Sequence, residues 1–89
     1  MISTNINEKG IQTWLQHAVA QQLQTTSEEI DVHRPFSSYR LDSVVIVTLA
    51  VDLEEFLGCA LDPSIFWEFD SIAALSAWLV NDYLPNQNA

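Results

Sequence analysis

The chain has 89 residues, 48% of them hydrophobic, which is room for one domain with one core and too little for a deep enclosed active site. A domain this small buries only about two-thirds of its unfolded surface. Twelve acidic residues against three basic ones give a formal charge of −9, which argues against nucleic acid or an anionic membrane as partner and favours proteins with basic surfaces. Cys59 is the single cysteine, so no internal disulfide can form. Met1-Ile2-Ser3-Thr4-Asn5 lacks the basic region and apolar run of a signal peptide, and the longest apolar run, Val44–Val47, is far too short to span a membrane. The expected setting is the cytoplasm.

In chain order, residues 1–7 are polar and read as a frayed lead-in. From Glu8 to Gln24 the apolar residues Ile11, Trp14, Leu15, Ala18, Val19 and Leu23 repeat on one helical face, with Gln12, Gln16, Gln21 and Gln24 on the other. The stretch 25–42 reads as a long connection. In it Ser27 is placed to cap a short turn, with Glu28 and Glu29 near that turn's positive end. Ile30 and Val32 anchor the connection, Pro35 bars a regular helix, and Phe36 plugs the core with Tyr39 and Leu41 nearby. A connection of that length in a small domain points to function.

Asp42 and Ser43 both suit a helix N-cap, and Gly58 suits the residue past a helix end, so a second helix is expected over 43–57. The β-branched run at 44–47 favours a strand locally, but the length, the caps and Asp52-Leu53-Glu54-Glu55 decide for a helix. Its core face is Ile46, Leu49, Ala50, Leu53 and Leu57. Val44, Val45, Val47 and Val51 extend beyond one face, which suits equally a docking surface and packing against the long loop. Pro63 marks a third helix of one to two turns. Ser71 caps a fourth, with Ile72, Ala74, Leu75, Trp78 and Leu79 inward, ending near Tyr83-Leu84-Pro85; residues 86–89 are a polar tail. The expected fold is all-α: a small four-helix bundle with a long loop between its first two helices and a short third helix.

Little conventional chemistry fits. His17 and His33 have no ligand partner three or four residues away, and the acids of 52–55 lack the alternation and central glycine of a calcium loop. Gly10 and Gly58 are the only glycines, so there is no phosphate-binding loop. Cys59 reads as a small turn residue, although pairing with a histidine stays open. The chain is therefore not expected to be an enzyme, and no metal is expected. Ser43 remains: a hydroxyl at a helix head, after a long loop and beside an acid, is accessible to another protein's active site. It is a candidate modification point, with phosphorylation the commonplace form.

The run Tyr39-Arg40-Leu41-Asp42-Ser43-Val44 resembles the Gly-Leu-Asp-Ser-Leu attachment motif of acyl carrier proteins. Arg34-Pro35-Phe36-Ser37-Ser38-Tyr39 is similar to the loop before that motif in polyketide-synthase-type carriers. Leu53–Gly58 resembles the end of their second helix, and Leu61–Leu75 their third helix and the start of the fourth. The likeness spans about residues 8–84, which would be the folded core of a single carrier domain covering 1–89, with 1–7 and 85–89 as flexible ends. It implies that Ser43 receives 4′-phosphopantetheine from coenzyme A through a phosphopantetheinyl transferase, and that acyl groups ride on the arm as thioesters. It also implies partners: an acyl-loading ligase or acyltransferase, and a ketosynthase or other acyl-processing enzyme. Asp42, Asp52, Glu54 and Glu55 are the matching docking acids and Val44 the matching apolar residue, and the expected docking surface also takes in Arg40.

The chain departs from the pattern in places. Arg40 stands where glycine is usual, Val44 where leucine is, and Val45 and Thr48 where many fatty-acid-synthase carriers have acids. These departures favour a polyketide or specialised fatty-acid biosynthesis pathway over general lipid synthesis. The expectation is a monomeric, free-standing acyl carrier protein. The competing readings are a peptidyl carrier, whose usual Gly-Gly-[His/Asp]-Ser pattern Arg40-Leu41-Asp42-Ser43 does not fit, and an unmodified acidic adaptor docking through its second helix.

Overall fold

The structure is a computed structural model that describes residues 7–84. The ends expected to be flexible lie outside the described residues, apart from Asn7. That residue is not frayed: its Oδ1 accepts the Gly10 N–H at 2.7 Å and caps the first helix.

Helix α1 spans Glu8–Leu23. Ile11, Leu15 and Val19 are buried as the periodicity requires, and Trp14 and Ala18 are half-buried. Leu23 departs from that face at 37% exposure. It is the last helical residue, one turn past Val19, and Gln24 ends the helix there in the left-handed region (φ 59°, ψ 46°).

The connection from α1 to α2 is ordered by two 3₁₀ turns, Ser27–Glu29 and Phe36–Tyr39. Thr26, not Ser27, heads the first, and no side chain caps it. Ile30 is buried and Val32 half-buried, so both anchors hold. Gln16 Nε2 donates to the Ile30 carbonyl at 2.8 Å, fastening the loop to α1. Buried Tyr39 fastens it to itself, its hydroxyl accepting from Asp31 N–H at 3.0 Å and donating to the Asp31 carbonyl at 2.9 Å. The loop also pairs with the lead-in to α4. Phe36 N–H donates to the Asp70 carbonyl at 2.7 Å and Ala73 N–H to the Val32 carbonyl at 2.8 Å, around an isolated antiparallel bridge between Pro35 and Ser71.

Helix α2 spans Ser43–Leu57. Asp42 is its N-cap, its Oδ1 accepting the Val45 N–H at 2.9 Å. Gly58 ends the helix with φ 78°, a conformation glycine adopts without penalty. The buried residues are Ile46, Leu49, Ala50, Leu53 and Leu57, the face the spacing predicts.

Helix α3, Ile65–Glu68, is a single turn. Pro63 lies two residues before it rather than at its start, in a turn where Asp62 Oδ1 accepts the Ser64 N–H at 2.9 Å. Helix α4, Ile72–Trp78, is capped by Ser71 Oγ, which accepts the Ala74 N–H at 3.1 Å. The sequence predicts one helix from there to Tyr83. Instead the winding widens at Leu79 into a π-helical stretch, Leu79–Tyr83. Trp78 stacks on Phe69 (4.8 Å between centroids) and on Tyr83 (4.9 Å), and the Tyr83 hydroxyl bonds to the Ala60 carbonyl, tying this end to the loop after α2.

The core lies where α1 meets α2 and α4, with Phe36 from the loop set edge-on to Phe66 of α3 at 5.3 Å. The expected all-α, four-helix fold with a long first connection and a short third helix is the one observed, and the described residues hold no strand.

Candidate functional site at the head of the second helix

Ser43 is the first residue of α2 and is exposed. Both it and Asp42 suit a cap, but the geometry divides the work. Asp42 spends its carboxylate on the Val45 N–H and its carbonyl on Ile46 N–H (2.9 Å). The serine hydroxyl is not needed for capping. The N–H groups of Ser43 and Val44 lie beyond the reach of the helix's own carbonyls and face outward from the positive end of a fifteen-residue dipole.

The loop that delivers Ser43 is held by Arg34. Its Nε–H donates to Ser38 Oγ at 2.7 Å, a second guanidinium nitrogen reaches the Ser38 carbonyl at 3.3 Å, and the guanidinium lies 4.6 Å over the Tyr39 ring. Arg40 then closes the Phe36–Tyr39 turn in the left-handed region, with φ 57° and ψ 42°. A side chain there is sterically disfavoured by about 1–2 kcal/mol. That explains physically why glycine is the natural residue at this point of the motif.

The structure groups some of the expected docking residues and separates others. Arg40, Asp42 and Val44 are exposed around Ser43. Asp52 and Glu55 are exposed too, but at the helical rise they stand about 13 and 18 Å further along α2. There they line a shallow cleft of about 440 Å³ between α1 and α2, with Trp14 and Phe56 stacked at 5.2 Å. Glu54 differs from both: it is half-buried, and its Oε2 accepts the Leu61 N–H at 2.7 Å, bracing the loop to α3. The valines also divide. Val45 is half-buried, whereas Val44, Val47 and Val51 are 72%, 46% and 46% exposed and form an apolar stripe leading away from Ser43.

Periodicity gave no sign of a second cleft, about 410 Å³, beside the site. Phe36, Ser37, Leu41, Ile46, Phe66 and Trp67 line it, and Trp67 is 64% exposed. Its walls come from the loop, α2 and α3, so only the packed chain assembles it.

Burial, and secondarily the Glu54 carboxylate, push the Cys59 thiol above its ordinary range and disfavour the thiolate. His17 and His33 are exposed, and among the described residues no three potential metal ligands converge.

The same architecture is found in carrier proteins. The chain superposes with a TM-score of 0.79 on a free-standing peptidyl carrier protein from an Acinetobacter baumannii secondary metabolic pathway, at 28% identity over 96% of this chain and 100% of that one. The TM-score is 0.78 with Asl1650, an acyl carrier protein from Anabaena sp. PCC 7120 with a variant phosphopantetheinylation-site sequence, at 34% identity over 86% of this chain and 88% of that one. Fold and exposed helix head thus define a carrier. Residues 13–79 match the family model described as the phosphopantetheine attachment site, and the chain belongs to that family. The acyl carrier protein TtuC of Teredinibacter turnerae is 32% identical over 78 residues, covering 88% of this chain and 90% of that protein. The polyketide synthase PksM of Bacillus subtilis is 30% identical over 84 residues. The chain spans only about 2% of the length of PksM, and of the PksL synthase that it also matches. Members of this family hold 4′-phosphopantetheine covalently and are carriers, not catalysts. No described helix is long and apolar enough to cross a membrane.

Proposed function

We propose that Ser43 is the attachment residue and that the chain is an acyl carrier for polyketide or specialised fatty-acyl synthesis in the cytoplasm. The observation that carries this reading is the exposed Ser43 hydroxyl at the head of α2, left free because Asp42 supplies the cap. The surroundings would suit a phosphodiester: the N–H groups of Ser43 and Val44 are uncommitted at the helix head, and the helix dipole favours negative charge there. The arm's thiol end holds acyl groups as thioesters. Tethering keeps that end at high effective concentration near each enzyme in turn.

The partners in this reading are a phosphopantetheinyl transferase, an acyl-loading ligase or acyltransferase, and a ketosynthase or related enzyme. Asp42 and the exposed valines Val44, Val47 and Val51 form the near docking surface, with Asp52 and Glu55 at its far end. Glu54 takes part chiefly by bracing the α2–α3 loop. The 89 residues act as one carrier domain and as a monomer.

Intact-mass spectrometry after incubation with coenzyme A and a broad-specificity transferase tests the reading. The native chain gains the mass of one phosphopantetheine, and Ser43→Ala gains none. A gain that persists in Ser43→Ala moves the attachment elsewhere, and no gain in either chain favours the unmodified adaptor.

A further inference from the structure

We propose that Arg40 is a positioning residue for the arm, its guanidinium pairing with the phosphodiester joined to the chain at the head of α2. The inference rests on the Ser43 reading above and concerns what this chain adds to it.

Three observations converge on Arg40. The chain has only three Lys or Arg residues against twelve acids, and two of the three, Arg34 and Arg40, fall in the ten residues that end at Ser43. Arg34 is occupied, bonded to Ser38 and laid over Tyr39. Arg40 is exposed and joined to the fold only through its backbone, which sits at φ 57° where glycine would be unstrained. Gln24 takes the same conformation merely to end α1, so what sets Arg40 apart is an uncommitted cation three residues before Ser43.

Reach and charge supply the use. Three residues of extended chain cover at most about 11 Å, so a long arginine side chain at 40 can meet a phosphate oxygen at 43. The nearest charge to that phosphate is otherwise Asp42, whose carboxylate is fixed toward Val45 N–H and repels it. Arg40 offsets that repulsion and offers a paired N–H fork to two phosphate oxygens. The backbone N–H groups of Ser43 and Val44 approach from the helix side. A phosphate held on both sides limits where the arm can swing.

The test is NMR of the phosphopantetheine-loaded chain. The Arg40 Nε–H resonance is expected to shift between unloaded and loaded protein and to return most of the way at 1 M NaCl, where screening acts within about 3 Å. The ³¹P resonance of the diester is expected to shift in Arg40→Gln and Arg40→Gly and to shift less in Arg40→Lys, which keeps the charge without the fork. An Arg40 Nε–H signal indifferent to loading, or a ³¹P signal unmoved in Arg40→Gln, overturns the proposal. Loading itself is read by mass, so a chain that takes the arm at Ser43 but shows no Arg40 response refutes this inference alone. A chain that loads elsewhere refutes the reading beneath it.

Discussion

Arg40 is where residue-scale physics and function pull apart. In the unloaded chain its left-handed backbone is a cost that the side chain does nothing to offset. Arg40→Gly is expected to raise the stability of the unloaded protein by about 1 kcal/mol, the relief of αL strain less the extra freedom glycine gains on unfolding. Urea denaturation of native chain, Arg40→Gly and Arg40→Ala checks it: Ala keeps the strain and should stay close to native. The sequence made the anomaly visible as an arginine in a glycine's place. It could not make the reason visible, because that reason is a φ angle. The same holds for Ser43. Two good capping residues in a row left the cap undecided, and only the bond from Val45 N–H to the Asp42 carboxylate assigns it and frees the hydroxyl.

At the scale of elements, α2 was legible because its signals agree: a cap, an apolar repeat and a closing glycine. The surroundings of its second half were not. Glu54 reads in sequence as one of a row of surface acids, yet its carboxylate accepts the Leu61 N–H and lies against Cys59. Glu54→Gln is expected to leave the helix intact and lower the Cys59 pKa, since it removes the secondary cause of the upward shift. The value stays above the ordinary thiol range, because burial, the larger cause, remains. The rate of Cys59 alkylation against pH reads this directly, its midpoint moving to lower pH in the variant. The widening of α4 into a π-helical stretch was likewise hidden. Leu79 keeps its place in the core, and the widened stretch coincides with the packing of Trp78 against Phe69 and Tyr83, contacts that exist only after folding.

For the molecule as a whole, the long loop is the part that most needed a structure. Its length marked it as functional and its anchors were readable, but not the pairing with residues 70–73 that makes it part of the fold. Phe36 sits where these meet. It is 4% exposed, faces Phe66 of α3, and its own N–H bonds Asp70. Truncating a buried phenylalanine costs about 3–5 kcal/mol. A chain of this size has a total stability of about 5–13 kcal/mol. Phe36→Ala is therefore expected to take a large share of the stability, with a urea midpoint far below the native one, and Phe36→Leu to cost much less because it refills most of the volume. The loop ends at the helix head that carries Ser43, so the damage should reach the site before the chain unfolds. In conditions where circular dichroism shows Phe36→Leu to be fully helical, transferase modification is expected to be slower than native, because a looser Phe36–Tyr39 turn lets Arg40 and the head of α2 drift together. Modification at the native rate in a folded but destabilised Phe36→Leu would show instead that α2 presents Ser43 without help from the loop, and that the loop's order serves stability alone.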